Sequence, residues 1–258
     1  MVRMKKQNRL ERPAQNRSLE RGIEILRAFR PGADLMGNSE LADRTGIAPA
    51  TVSRLTQTLV RTGMLEYDSR ERAYRLAVPL LSFGHAMRSG SPVLRSAAPL
   101  MRRVAEANKI NVGIAILDRE EMVYLESVRF NRKISLRNVV AGQRVPVELT
   151  SLGHAHLASL SPAARDALLQ QLQLHRHVDW KSLEREIMQS IENVHQMGYC
   201  TASWQPNVVA LATPLYFNHH PVHVLNVSVN TQLAVSEIER RLGPVLLDLA
   251  KALLEAVD

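Results

Sequence analysis

At 258 residues and 45% hydrophobic composition, the chain is long and apolar enough for two ordinary domains, each with its own core. No apolar run approaches the roughly 18 residues needed to cross a membrane. A single cysteine, Cys200, excludes an internal disulfide, so a cytoplasmic protein is expected. The formal net charge of +8 is lopsided: residues 1–90 carry 16 Lys or Arg against 9 Asp or Glu, and residues 91–258 carry 17 against 16. A basic half joined to a near-neutral half is the charge distribution of a nucleic-acid-binding module attached to a partner domain.

Residues 1–17 hold six basic side chains and one acid, with no periodicity and no apolar segment behind them. They read as a basic flexible tail rather than a secretion signal, with an arm that touches phosphates as the alternative. Ser18 is placed to open a helix whose stripe is Leu19, Ile23, Leu26 and Phe29, ended by Pro31-Gly32. Next comes SELADRTGIAPATVSRLTQTLVRTG (39–63). Ser39 is expected to cap a short helix that Gly46 ends through a positive φ, and Pro49 suits the first turn of a second helix. In that second helix Val52, Leu55 and Leu59 point inward. Ala50, Thr51, Ser53, Arg54, Gln57 and Arg61, with Ser39 at the start of the first helix, are left for DNA contact.

An ordinary αα-hairpin with a solvated face is the alternative. The next segment of chain argues against it: Met64–Asp68 and Arg72–Leu76 read as two strands with Arg70 and Arg72 at their turn. A helix-turn-helix followed by a hairpin with a cationic tip is a winged helix.

Pro79–Ser89 reads as a linker helix interrupted at Gly84, with Leu80, Leu81 and Phe83 available to a dimer. The helix over 92–108 is expected to kink or break at Pro99. From residue 111 the period changes to two: 112–118 and 121–128 form a hairpin, and 133–139 a third strand. A loop containing Gly142 and Pro146 leads into a small-residue helix, followed by helices from Ser161-Pro162 and over 180–197. Strands at 199–203, 208–217 and 222–229 precede a last helix over 235–257. The second half is expected to be α+β, with its helices on one side of a mostly antiparallel sheet.

The order of SLERGIEILRAF, SELADRTGIAPATVSRLTQTLVRTGMLEYDSRERAYRL, AGQRVPVELTSLGHAHLASL, MGYC, VVALATPLYF and VLNVSVN resembles the IclR family of bacterial transcription regulators over about residues 18–257. The resemblance implies a winged helix-turn-helix plus a GAF/profilin-like effector-binding domain, assembled as a homodimer or a dimer of dimers. It implies a small organic-acid effector held by Ser151, Gly153, Ser203, Leu211, Asn226 and Ser228. Trp204 beside those positions points to an aromatic acid. The chain departs from the family pattern after its Gly198-Tyr199 pair, where CTASWQPN has neither an acidic pair nor a glycine. His154 and His156 also stand where lysine and leucine are usual.

Other chemistries fit less well. The nine histidines do not fall at metal-ligand spacing, and they read as surface or capping residues. There is no Gly-x-Ser-x-Gly elbow and no phosphate-binding glycine loop, so no enzyme, metal or cofactor is expected. The expected division is a tail at 1–17, the winged helix at 18–78, a linker helix at 79–91, and an effector-binding and oligomerisation domain at 92–258. The expected function is ligand-responsive control of a catabolic operon through double-stranded operator DNA. The alternative is a constitutive DNA-binding protein whose second domain only oligomerises.

Overall fold

The computed structural model describes residues 16–130, 140–175 and 179–257. The expected strand at 133–139, most of the basic tail and His177 lie outside them. The chain divides into two compact units, residues 1–86 and 87–258.

In the first unit, α1 (Arg17–Ala28) is capped by Asn16, whose side chain accepts from the Leu19 N–H at 3.2 Å. The cap is therefore not Ser18, which sits one residue inside the helix. The buried face is Gly22, Ile25 and Phe29, while Leu19 and Ile23 remain 62% and 44% exposed. The expected stripe is thus rotated: Leu19 and Ile23 line an open groove against the third helix. Helix α2 (Asn38–Thr45) is capped by Gly37, which places Ser39 in its first turn rather than at its cap. Gly46 ends it at φ 66°, donating to Ala42 O. Helix α3 (Pro49–Arg61) starts on Pro49. The buried Thr56 hydroxyl, next to both Asn38 Oδ1 (3.2 Å) and Val52 O (3.0 Å), ties α3 to the start of α2. Strands β1 (Leu65–Asp68) and β2 (Ala73–Leu76) form the hairpin, with Tyr67 opposite Tyr74. Met36 bridges to Tyr74, so the loop before α2 extends this small sheet.

Helix α4 (Pro79–Gly90) runs unbroken through Gly84 and buries no residue. The division between the units falls within it.

The second unit is built on a six-stranded antiparallel sheet of order β5-β4-β3-β8-β7-β6. Its strands are β3 (Asn111–Asp118), β4 (Glu121–Val128), β5 (Arg144–Pro146), β6 (Cys200–Ala202), β7 (Val208–Leu215) and β8 (His223–Asn230). Helices cover both faces, not one. Alternation along the strands sends Ile114, Leu211, Leu225 and Val227 to a core with α5 (Pro92–Asn108) and α9 (Val235–Val257). It sends Ala115, Tyr124, Ala212 and Val224 to a second core with α6 (Ser151–Ser159), α7 (Pro162–His175) and α8 (Trp180–Met197). Helix α5 continues through Pro99, so the expected break is absent. Arg144 fastens the tip of the β3–β4 hairpin by reaching Asp118 and Glu121, both at 2.7 Å.

Candidate functional site

In the first unit, the positions facing away from the core of α3 are Ala50, Ser53, Arg54, Gln57 and Arg61. They recur at i, i+3, i+4, i+7 and i+11, which makes one stripe on a helix. Ser53 is half-buried and the other four are exposed. Thr51 lies at the edge of this stripe, on the groove toward α1. Ser39 is exposed in the first turn of α2. At the wing, Asp68 accepts from the N–H groups of Arg70 and Glu71 and pairs with Arg75. Those backbone bonds, ahead of the neighbouring Arg75, hold its carboxyl below the usual range. Arg72 takes φ 53°, unusual for a residue with a Cβ, and both Arg70 and Arg72 are exposed. The wing therefore uses Asp68 to shape the turn and presents Arg70 and Arg72 to solvent.

In the second unit, the structure separates the residues expected to form one pocket. Ser151 and Gly153 do open α6, but the Gly153 N–H already donates to the hydroxyl of Thr150, the N-cap. A Cβ on Gly153 would sit 1.9 Å from Val147 O, so close backbone packing by itself requires a glycine here. Ser151 is 2% exposed, and its carbonyl accepts from the Cys200 thiol at 3.4 Å. The helix start is thus closed by the protein itself. Leu211 pairs with Val227 and points into the α5/α9 core. Asn226 pairs with Ala212 and faces α6 and α8, with Ser228 two residues on along the same side. A one-residue offset between paired strands therefore puts Leu211 on the face opposite Asn226 and Ser228.

Asn226 is the centre of a polar cluster. It is 4% exposed, and its Nδ2 donates to the Tyr124 hydroxyl at 3.4 Å. Its Oδ1 has no partner among the described residues. Gly113 makes room: a Cβ there would lie 2.5 Å from both Asn226 Oδ1 and the Tyr124 ring. Burial pushes the Tyr124 phenol up to about 12, so it stays neutral and keeps a proton to donate. Neither Tyr124 nor Gly113 stands out in the sequence; only the pairing of β3 with β4 and β8 brings them to Asn226.

Ser203 and Trp204 lie elsewhere, on a hollow of about 510 Å³ beside β6. Glu148, His154, Glu186, Ser190, Thr201 and Glu239 also line it. His154 and His156 are buried, against the surface role expected of them. The His154 Nε2 lies 2.9 Å from Glu148 O, which only accepts, so that nitrogen carries the proton. Nδ1 then accepts from the Ser190 hydroxyl at 2.9 Å. Burial lowers the pKa of His154 and takes that of His156 down to about 4. Burial also pushes the Cys200 thiol up to about 12, the opposite of what a nucleophile needs. No group of three metal-ligating side chains occurs among the described residues, and no helix among them is long and apolar enough to cross a membrane.

A helix-turn-helix with a cationic wing, followed by a linker helix and a mixed α/β unit with a buried polar cluster, defines a two-domain DNA-binding transcriptional regulator. The family model described as the IclR helix-turn-helix domain matches residues 18–69, and that of the bacterial transcriptional regulator IclR C-terminal domain matches residues 85–255. The chain belongs to the IclR family. It is 32% identical over 183 residues to the HTH-type transcriptional regulator TsaQ1/TsaQ2 of Comamonas testosteroni, covering 70% of this chain and 66% of that one. Its fold superposes on an IclR family regulator from Brucella abortus with a TM-score of 0.87 at 32% identity, over 96% of this chain and 94% of the other. An IclR homologue from Microbacterium hydrocarbonoxydans, solved with 4-hydroxybenzoate, shares the fold at 21% identity and a TM-score of 0.69, over 93% and 98% of the two chains. These relatives are regulators rather than enzymes.

Proposed function

We propose that this regulator controls a catabolic operon in response to a small aromatic acid bound on the α6/α8 side of the sheet. The carrying observation is Asn226: a carboxamide 4% exposed, bonded at one end to Tyr124 and without a partner at the other among the described residues. A buried amide oxygen left unsatisfied costs about 1–3 kcal/mol, which a bound hydroxyl or carboxylic group would recover. Tyr124 offers a donor beside that acceptor, a pair that matches a hydroxybenzoate-type ligand. Ser228 extends the same side of the strand. The relative holding 4-hydroxybenzoate supports this ligand class.

Operator binding belongs to α3 and the wing. Assembly as a homodimer or dimer of dimers belongs to α4, where Leu81, Phe83 and Met87 are 76%, 59% and 54% exposed, with Val78 just before it 73% exposed. The test is calorimetry of the full chain with 4-hydroxybenzoate, followed by operator titration with and without it. Binding weakened about tenfold by Asn226→Ala, with a changed operator affinity, is expected. Binding of benzoate-type acids that ignores both Asn226→Ala and Tyr124→Phe places the ligand elsewhere. Operator affinity indifferent to every acid tried leaves the second unit as an oligomerising domain.

A further inference from the structure

We propose that Arg88 is the relay through which the Asn226–Tyr124 cluster acts on the linker helix, so that a ligand held there changes operator affinity. The proposal deepens the effector reading above and takes its ligand class from it. It starts from one irregularity of the sheet. Along β3, Ala115 pairs with Tyr124 and Ile114 with Glu126, which leaves Leu125 as an extra residue in β4, a β-bulge. The bulge turns adjacent residues to opposite faces. Tyr124 lies in the core with α6 and α8, and its hydroxyl accepts from Asn226. Leu125 lies in the α5/α9 core, and Glu126 stands opposite Ile114 of that same core. On the other side of β4, β5 pairs only with Glu121, Met122 and Val123, so the bulge lies past the end of that ladder.

Arg88 grips the bulge from the face opposite the cluster. Its Nη1 donates to Leu125 O and its Nη2 to Glu126 Oε2 at 2.6 Å. The second carboxylate oxygen of Glu126 accepts from the Ser127 N–H at 2.9 Å, so the acceptor is itself held in place. A guanidinium fork on two successive residues fixes position as well as charge. Within α4, every other residue from Leu81 to Gly90 is exposed, whereas Arg88 is half-buried. Arg88 belongs to the second unit, but its helix is continuous back to Pro79, in the first. Successive turns of a helix are hydrogen-bonded to one another, so a shift of the last turn is carried along it. A ligand that moves Tyr124 moves the bulge, and the bulge moves Arg88.

The first test uses no ligand. Operator affinity of the full chain is measured for Tyr124→Phe, Arg88→Gln and the double variant. A relay makes the two changes non-additive: Tyr124→Phe should shift operator affinity about threefold or more in the parent, and by less than about 1.5-fold once Arg88 is replaced. Additive effects, or no effect of Tyr124→Phe, would overturn the proposal whether or not any acid binds. The second test adds 4-hydroxybenzoate. Allosteric couplings commonly amount to about 5–150-fold. In Arg88→Gln and in Glu126→Gln the ratio of operator affinities with and without the acid should fall to within about twofold of unity, while the affinity for the acid measured without DNA stays within about threefold of the parent. A merely structural pin would not separate those two readouts. A ratio equal to the parent's in both variants would overturn the relay. Failure of the parent to bind the acid, with the non-additivity intact, would strike the effector reading and leave the relay standing.

Discussion

Gly153→Ala separates two accounts of the start of α6. In an ordinary helix interior this change stabilises by about 0.8–1.0 kcal/mol. A glycine that opened the helix end to a ligand would follow that rule in the free protein. Here the added Cβ would fall 1.9 Å from Val147 O and 2.4 Å from Val147 C and Cα. Those atoms are backbone, and Val147 is itself fully buried, so no side-chain rotation relieves the clash. The segment leading to the Thr150 cap must move, putting at risk the Thr150–Gly153 bond of 3.2 Å. Overpacking of a tight core costs roughly 1–3 kcal/mol and occasionally more. With backbone as the obstacle we expect about 3 kcal/mol net destabilisation. For a unit of this size that is a Tm lower by about 6–12 °C. Gly84→Ala in α4, where an added Cβ meets nothing within 4 Å, is the matched control and should stabilise slightly. Calorimetry of both variants checks the pair. A Gly153→Ala protein as stable as the parent would refute the packing account and restore the helix start as a ligand site.

Arg54→Ala and Gln57→Ala should each weaken specific operator binding by about 1–3 kcal/mol if they reach base edges; equal losses on random DNA in a gel-shift titration would limit them to phosphate. Removing Arg70 and Arg72 together should lower the salt slope of log K by about 0.9 for each phosphate they neutralise, and an unchanged slope would take the wing off the DNA. His156 has a folded pKa of about 4, below its ordinary value of 6.5, so the unfolded chain binds the proton more readily. Its contribution is therefore intact above about pH 6.5 and is lost as pH falls toward 4. His156→Leu should flatten urea-measured stability across that window, and an unaltered pH profile would contradict its burial as a neutral ring. Cys200 should resist a thiol reagent at about pH 8 in the native protein and react on unfolding; fast native labelling would contradict its buried, protonated state.

The local features were legible in the sequence because short-range chemistry decides them. Gly46 ends α2 with a left-handed residue, Pro49 starts α3, and Arg70 and Arg72 flank a hairpin turn whatever surrounds them. Periodicity placed α8 and the β3–β4 hairpin for the same reason. The caps were not legible in this way, because Asn16, Ser18, Gly37 and Ser39 are all acceptable starts and packing chooses between them. The pairing of distant strands left no such local mark. Leu211 and Asn226 look like neighbours of one pocket until the register sets Leu211 opposite Val227 and Asn226 opposite Ala212, on opposite faces of the sheet. Tyr124 and Asn226 meet across 102 positions of chain, and Gly153 is a glycine because Val147 passes over it. These are contacts between segments whose separation along the chain leaves no periodic trace. Residues 39–76 therefore declare a DNA-binding protein by themselves, while the sites of the second unit exist only once the sheet has assembled.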